Sequence, residues 1–266
     1  MLYDVNGNIL YNDKAASFSD NMELDYAYDS ATGANYTVIR VFQKKRDGTK
    51  QYPFVRYPGF MKAATLAESE GWALIINAGL GWDGEIDGVA IENGVVKHNA
   101  IASHHAGAIP LTISSSGVLS TASASDTAET ILSGGGIKSA TCGFCPIIVD
   151  YAPTDSFPTV SNVTHFAENA QRQIIGQFGN GDYAIISCAG RSNDNSDGWK
   201  LAEAQTVCQR LGLKFAYNLD GGTSVATFLR KHAVYNYMGT GTSGRIVPSF
   251  IVFNGTDTFS IPSANE

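Results

Sequence analysis

The chain predicts an α+β fold: a mixed, largely antiparallel, twisted β-sheet core with a few packed helices, forming one main domain. Three observations carry this expectation. Of 266 residues, 44% are hydrophobic, only 16% are charged and 28 are glycine, a turn-rich balance closer to a strand-rich globular protein than to a helical bundle or a disordered chain. Short continuous apolar runs, such as 72–76, 147–149 and 183–188, have the length of buried strands. Asn-Gly and Asp-Gly pairs punctuate the apolar stretches, as turns between strands require. A compact fold of this length buries roughly 70–75% of its unfolded surface, enough for a sizeable core.

Residues 1–35 are rich in Asn, Asp, Ser and Tyr, with Asn6-Gly7 between short apolar runs, and read as an N-terminal hairpin or arm. The main domain is expected over 36–266. It opens with a strand at Tyr36–Phe42, an Asp47-Gly48 turn and a partner strand over Tyr52–Tyr57. A helix over about Gly59–Gly71 leads into the buried strand Trp72–Ile76, which ends on Asn77-Ala78-Gly79. Two hairpin-like units follow, Val89–Val96 and Leu111–Leu119. After the strand Tyr183–Cys188, Ser196 or Asp197 is a natural N-cap. Leu201, Ala204, Cys208 and Leu211 then share a helical face, and Gly212 stops the helix.

Composition excludes several functions. The net charge is −7, from 18 basic and 25 acidic residues, and the only basic cluster is Lys44-Lys45-Arg46, so the chain lacks the footprint of a nucleic-acid binder. No stretch approaches the roughly 20 apolar residues of a membrane-spanning helix. The first residues carry neither a basic nor an apolar leader region. The chain is therefore expected in the cytoplasm, in a phage-associated setting, or secreted with its signal already removed. Cys142 and Cys145 have the Cys-x-x-Cys spacing of a redox pair or half a metal site. Cys188 and Cys208 sit in apolar segments far away and no matching second pair follows, so buried or disulfide-bonded cysteines are the favoured reading.

The segment Asn218-Leu219-Asp220-Gly221-Gly222-Thr223-Ser224 packs a carboxylate, an amide and two hydroxyls around a Gly-Gly turn between two apolar runs. Glycines let a backbone bring its N–H groups close to an anionic oxygen. The same pattern also fits an ordinary hairpin turn with Asp and Ser bonding their own backbone. Two arginines, Arg172 and Arg191, could converge with the turn on one anion, because guanidinium groups match phosphate geometry. Each could equally be a surface residue. Glu203, in the first turn of its helix, suits either catalysis or the helix dipole.

In order along the chain, these segments resemble the phosphodiester glycosidase family, which includes the uncovering enzyme that acts on phosphodiester-capped mannose and bacterial and phage relatives. Ile76-Asn77-Ala78-Gly79 is similar to the family's Asn-Gly-Gly segment, with Ala78 in place of a glycine. Arg172–Gly176 resembles its Pro-Arg-Thr-Ala-x-Gly element, with Gln171 where proline is usual. Gly190-Arg191 matches a Gly-Arg step, and Ser196–Glu203 resembles the Ser-x-Gly-x-Thr-Leu-x-Glu helix start. Asn218–Ser224 is closest to Asn-Leu-Asp-Gly-Gly-Gly-Ser-Ser, with Thr223 replacing the third glycine. Gly244–Val252 resembles the closing Arg-x-Val-Pro strand.

The resemblance implies a hydrolase that splits a sugar-1-phosphodiester, such as one bearing N-acetylglucosamine, into free sugar and phosphomonoester. Asp220 would be the chief catalytic carboxylate, and Glu203 the second carboxylate or the group that orients it. Arg172, Arg191, Arg245, Gly221, Gly222, Thr223 and Ser224 would bind phosphate, and Asn77 and Asn218 would orient sugar or phosphate oxygens. The expected partner is a sugar-phosphate or glycan substrate, with no cofactor and no metal. Two other readings stay open. One is a non-catalytic carbohydrate-binding module of a virion or cell surface. The other is a metal-dependent phosphodiesterase that cuts the P–O bond, with His104, His105 and Asp83 or Asp87 as ligands.

Overall fold

The computed structural model describes residues 21–190, 196–229, 232–236 and 244–254. The Asn6-Gly7 turn and Arg191 lie outside these residues. Every strand pair within them is antiparallel.

The largest sheet has seven strands. Across it lie β1 (Met22–Asp29), β2 (Ala34–Val41), β16 (Tyr183–Cys188), β15 (Arg172–Gln177), β17 (Phe215–Asn218), β13 (Cys145–Val149) and β14 (Ala152–Pro153). A five-stranded sheet orders β19 (His232–Asn236), β18 (Ala226–Leu229), β5 (Leu74–Asn77), β21 (Phe250–Phe253) and β3 (Pro53–Arg56). A second five-stranded sheet orders β11 (Leu119–Thr121), β10 (Pro110–Ser114), β12 (Ile137–Cys142), β8 (Ala90–Glu92) and β9 (Val95–His98). Two short ribbons pair β4 (Met61–Lys62) with β20 (Ile246–Val247), and β6 (Gly81–Trp82) with β7 (Glu85–Ile86).

The burial pattern shows how the layers stack. One face of the seven-stranded sheet, carrying Ile39, Ile175, Ile185 and Tyr217, packs on Leu74, Ile76 and Ile251 of one five-stranded sheet and on Leu111 and Ile113 of the other. Its opposite face, with Ile174, Ile186 and Ala216, is covered by Trp199 and by Leu201, Ala204 and Cys208 of helix α3 (Leu201–Arg210). Helix α1 (Ala63–Glu70) covers the outer face of one five-stranded sheet through Leu66 and Ala67, and α2 (Ala128–Ser133) covers the other through Ala128 and Ile131. Strands covered on both faces need apolar side chains at every position, which explains why the core runs read as continuous rather than alternating.

Three local expectations change. The strand at 52–57 does not pair with the one at 36–42: β3 pairs with β21, while β2 lies between β1 and β16. The Asp47-Gly48 turn does form, with Gly48 left-handed and Lys44 bridged to Lys50. After Gln51, however, the chain passes from one sheet to another. Helix α3 starts at Leu201 rather than next to Ser196, because the Ser196 hydroxyl is engaged elsewhere, accepting from the Asn35 N–H (2.9 Å) and donating to the Ala189 carbonyl (3.0 Å). The leading segment also reaches into the domain. β1 and β2 form a hairpin at the edge of the largest sheet, so a boundary at 35/36 falls inside β2.

Backbone crowding at one crossing has a direct consequence. Gly198 is left-handed (φ +83°), and a Cβ there would lie 2.6 Å from the Ala170 carbonyl oxygen and 2.9 Å from the Gly190 Cα. Backbone cannot move aside as a flexible side chain can. Gly198→Ala should therefore lower stability by about 2 kcal/mol or more, measured by urea unfolding; an unchanged midpoint would contradict this crossing.

Candidate active site

The Asn218–Ser224 segment is not a hairpin. It leaves β17 of the seven-stranded sheet and delivers β18 to a different sheet, so it bridges the two layers at one end of the core. Its backbone is tied down along its length: Leu219 N–H to the Gln173 carbonyl (2.9 Å), Asp220 N–H to Ala78 (3.1 Å) and Gly222 N–H to Gln171 (3.0 Å). Each glycine has its own reason. A Cβ at Gly221 would lie 2.8 Å from the Gln171 carbonyl oxygen, and Gly222 has φ +58°. Thr223 is absent from the left-handed residues, so the turn loses nothing by having a side chain there. Its hydroxyl instead lies 3.4 Å from Arg245 Nη1.

Asn77 holds this crossover in place. Its side chain is fully buried at the end of β5; Nδ2 donates to the Asp220 carbonyl (2.7 Å), and Oδ1 accepts from the Ala226 N–H (3.0 Å). Both ends of its amide are therefore committed to backbone, and it acts on the site by positioning the turn.

Asp220 faces a cavity of about 240 Å³. The turn residues Gly221, Gly222 and Thr223 line it together with Arg172, Arg245, His104, His105 and Phe144. Burial pushes the Asp220 carboxyl above the ordinary carboxylate range, and it outweighs the Ser224 hydroxyl and the charges of Arg245 and His105, which pull the other way. The N–H groups of Gly222, Ser224 and Val225 are committed to backbone carbonyls. The Gly221 N–H bonds the Asp220 carboxylate itself.

His105 and Asp87 form the other half of the site. His105 Nδ1 meets Asp87 Oδ2 at 2.7 Å, which leaves the Nε2 side for the cavity. Asp87 also accepts the N–H groups of Ser103 (2.8 Å), His104 (3.3 Å) and His105 (2.8 Å). Burial alone would raise its pKa; the Ser103 and His105 N–H groups and the imidazole outweigh that and hold it below the usual range. With both oxygens so occupied, Asp87 is poorly suited to bind a metal ion, and no group of three His, Cys, Asp or Glu side chains among the described residues could hold one. In the sequence the signal for this pair lies in Asp87 and His104-His105, whose residue types fit metal ligation equally well; only the fold shows the imidazole oriented by Asp87.

Other candidates are placed differently. Arg172 lines the cavity yet is only 3% exposed. Its Nε donates to the Trp199 carbonyl (2.9 Å), and its Nη2 to those of His165 (2.6 Å) and Glu168 (2.9 Å). It therefore orders the cavity wall. Glu203 is not brought to the cavity: its carboxylate accepts the Lys200 N–H (2.8 Å) and caps α3. Asn218 is fully buried outside the lining, and neither polar atom of its side chain finds a partner among the described residues. The cysteines are buried free thiols. Burial pushes Cys142 and Cys145 up to about 12, which suits neither redox exchange nor thiolate ligation.

Two outcomes follow. Asn77→Ala strands a buried carbonyl and a buried N–H, and should cost about 2–4 kcal/mol in chemical denaturation. Asp220 has a folded-state pKa above its unfolded value of 3.8, so its contribution is intact below that value and is lost as pH rises through the folded pKa. Asp220→Asn should therefore melt higher than the parent at pH 7, with the difference vanishing below about pH 4. A variant that melts lower at pH 7 would contradict the burial of this carboxylate.

The family model for phosphodiester glycosidase matches residues 71–254. Among solved structures, the chain is similar to the catalytic domain of zebrafish N-acetylglucosamine-1-phosphodiester alpha-N-acetylglucosaminidase, auto-inhibited by its pro-peptide. The TM-score is 0.68 at 14% identity, covering 94% of this chain and 90% of that one. It is also similar to a hypothetical protein from Synechocystis (TM-score 0.60, 16% identity, 88% of this chain and 62% of that one). A putative exported protein from Burkholderia pseudomallei shares the fold at TM-score 0.53 and 11% identity, covering 84% and 74%. No curated protein sequence matches the chain. At these identities the structural likenesses speak for the fold alone; the family match, which spans most of the chain and contains the Asn77 clamp, the Asp87–His105 pair and the Asp220 turn, shows that the chain belongs to the phosphodiester glycosidase family.

Proposed function

We propose that this chain hydrolyses the bond between the anomeric carbon of a sugar and the oxygen of a phosphodiester, giving free sugar and a phosphomonoester. The observation that carries this reading is the pairing, across one cavity, of a carboxyl with raised pKa at Asp220 and an imidazole held by Asp87 at His105. Arg245 stands beside the turn hydroxyls.

In this reading the C–O bond breaks with its electron pair on the phosphate oxygen, and water supplies the new bond to the anomeric carbon. A phosphate is already a competent leaving group, so stabilising its charge matters more than protonating it strongly. Arg245 presents several N–H donors for this task, with the Thr223 and Ser224 hydroxyls next to it. The proton that the attacking water gives up passes to ionised Asp220, whose raised pKa makes it a stronger base. Asp87 fixes the imidazole tautomer, so His105 Nε2 is either a lone pair or, in the imidazolium, a donor. His105 thereby takes the second acid–base role that the sequence suggested for Glu203.

Turnover of a sugar-1-phosphodiester in oxygen-18 water tests the reaction. Label should appear in the sugar, and a chelator should not stop turnover. Label in the phosphate would mean P–O cleavage, and no turnover across a panel of sugars would favour a binding module. Asp220→Asn should lower kcat by about 10³-fold and His105→Gln by about 10²-fold, whereas Glu203→Gln should change kcat less than about twofold and act on stability through the helix cap. Steady-state kinetics on the three variants distinguishes the roles.

A further inference from the structure

A second recess, of about 370 Å³, adjoins the first, and Asp220, Arg245 and Trp82 border both. Its character differs. The first cavity presents His104, His105, Asn162 and His165 alongside Leu80, Phe144, Val163 and Phe166. The second presents Phe60, Trp82, Ile246 and Pro248, with Asp83 as a further charged group. Phe60 is 38%, Trp82 55% and Ile246 52% exposed. These three are among nine large apolar side chains that the described residues leave exposed, and their concentration in one recess beside Asp83, Asp220 and Arg245 marks a binding surface rather than scattered exposure.

The recess is built, not incidental. Trp82 sits in the β6–β7 ribbon, closed by Asp83 and Gly84 with φ +51° and +81°. Its indole lies flat on the His104 ring, with centroids 3.7 Å apart and planes 6° apart. His104 lines only the first cavity, so the indole stands as a fixed wall between the two. A Cβ at Gly81 would lie 3.1 Å from the Phe60 ring and from Pro248; glycine there lets the apolar walls close at the base.

We propose that this recess is the subsite for the group esterified to the phosphate on the side away from the sugar, and that it takes an apolar ring. The inference rests on reading Asp220 and Arg245 as the phosphodiester site. A sugar, with hydroxyls and apolar ring faces, suits the first cavity, where three imidazoles and an amide stand among Phe144, Val163 and Phe166; the second recess has no imidazole or amide. A polyanionic chain is disfavoured in the second by Asp83 and by the net charge of −7. An open recess of this size and lining seats one ring against Trp82 and Ile246, with its phosphate held by Arg245.

Benzyl phosphate and methyl phosphate, titrated calorimetrically into the intact chain, test the subsite without requiring turnover. Benzyl phosphate should bind at least about tenfold more tightly. In Trp82→Ala and in Ile246→Thr the ratio should fall below about threefold, with melting midpoints confirming that these surface variants remain folded. Equal affinity for the two phosphates, binding of neither, or a ratio that survives both substitutions overturns the proposal. The subsite and the reaction can fail separately. A tenfold ratio in a protein that hydrolyses no sugar-1-phosphodiester sustains the subsite and removes the catalytic reading. Turnover with a ratio near one does the reverse.

Discussion

The carboxamide of Asn77 is the joint on which the site depends. It ends β5 in one sheet and bonds both sides of a crossover from another: the carbonyl of Asp220 and the N–H of Ala226. An aliphatic residue would fill the space but satisfy neither group, and the penalty for two stranded buried polar groups exceeds the gain from burying a methylene or two. The fold thus uses a polar residue in the core, where Leu74, Ile75 and Ile76 precede it, to fix the backbone that carries the carboxylate.

From that joint the electrostatics follow. Asp220 sits where burial works against its charge, and the groups that compensate, Ser224, Arg245 and His105, come from three different segments. His105 is itself held by Asp87, whose oxygens collect three backbone N–H groups of the same loop. A wall of committed groups surrounds these few available ones: Arg172 holds three carbonyls in place, and Glu203 secures the helix behind the sheet. Glu203 thus stays outside the cavity, whereas Arg172 both ties its wall together and lines it.

Much of the fold was legible in the sequence. Apolar runs at 74–76, 183–188 and 215–217 are strands because each is covered on both faces, while Trp72 and Ala73 of the run expected at 72–76 precede β5. The helix stopped by Gly212 also follows from its pattern, and Gly212 is left-handed. Which sheet a strand joins was not legible at 52–57, because a turn signal specifies a reversal and not the partner beyond it. In the site, the Asp220 turn and Arg245 were read as facing a ligand, and both line the cavity. The commitment of Asn77, Arg172 and Glu203 to backbone was hidden, since a side chain bonded to a distant carbonyl leaves no local pattern. Thr223 illustrates the converse: one glycine lost from a three-glycine run matters little when only its neighbour needs a positive φ.

The account turns on whether the Asn77 clamp keeps Asp220 half-buried with a raised pKa. Carbon-13 NMR of the Asp220 carboxyl, titrated in the parent chain and in Asn77→Ala, measures this directly. A midpoint above the usual carboxylate range in the parent, moving back toward that range when the clamp is removed, is the expected result. An ordinary midpoint in the parent, or one that Asn77→Ala leaves unchanged, would contradict it.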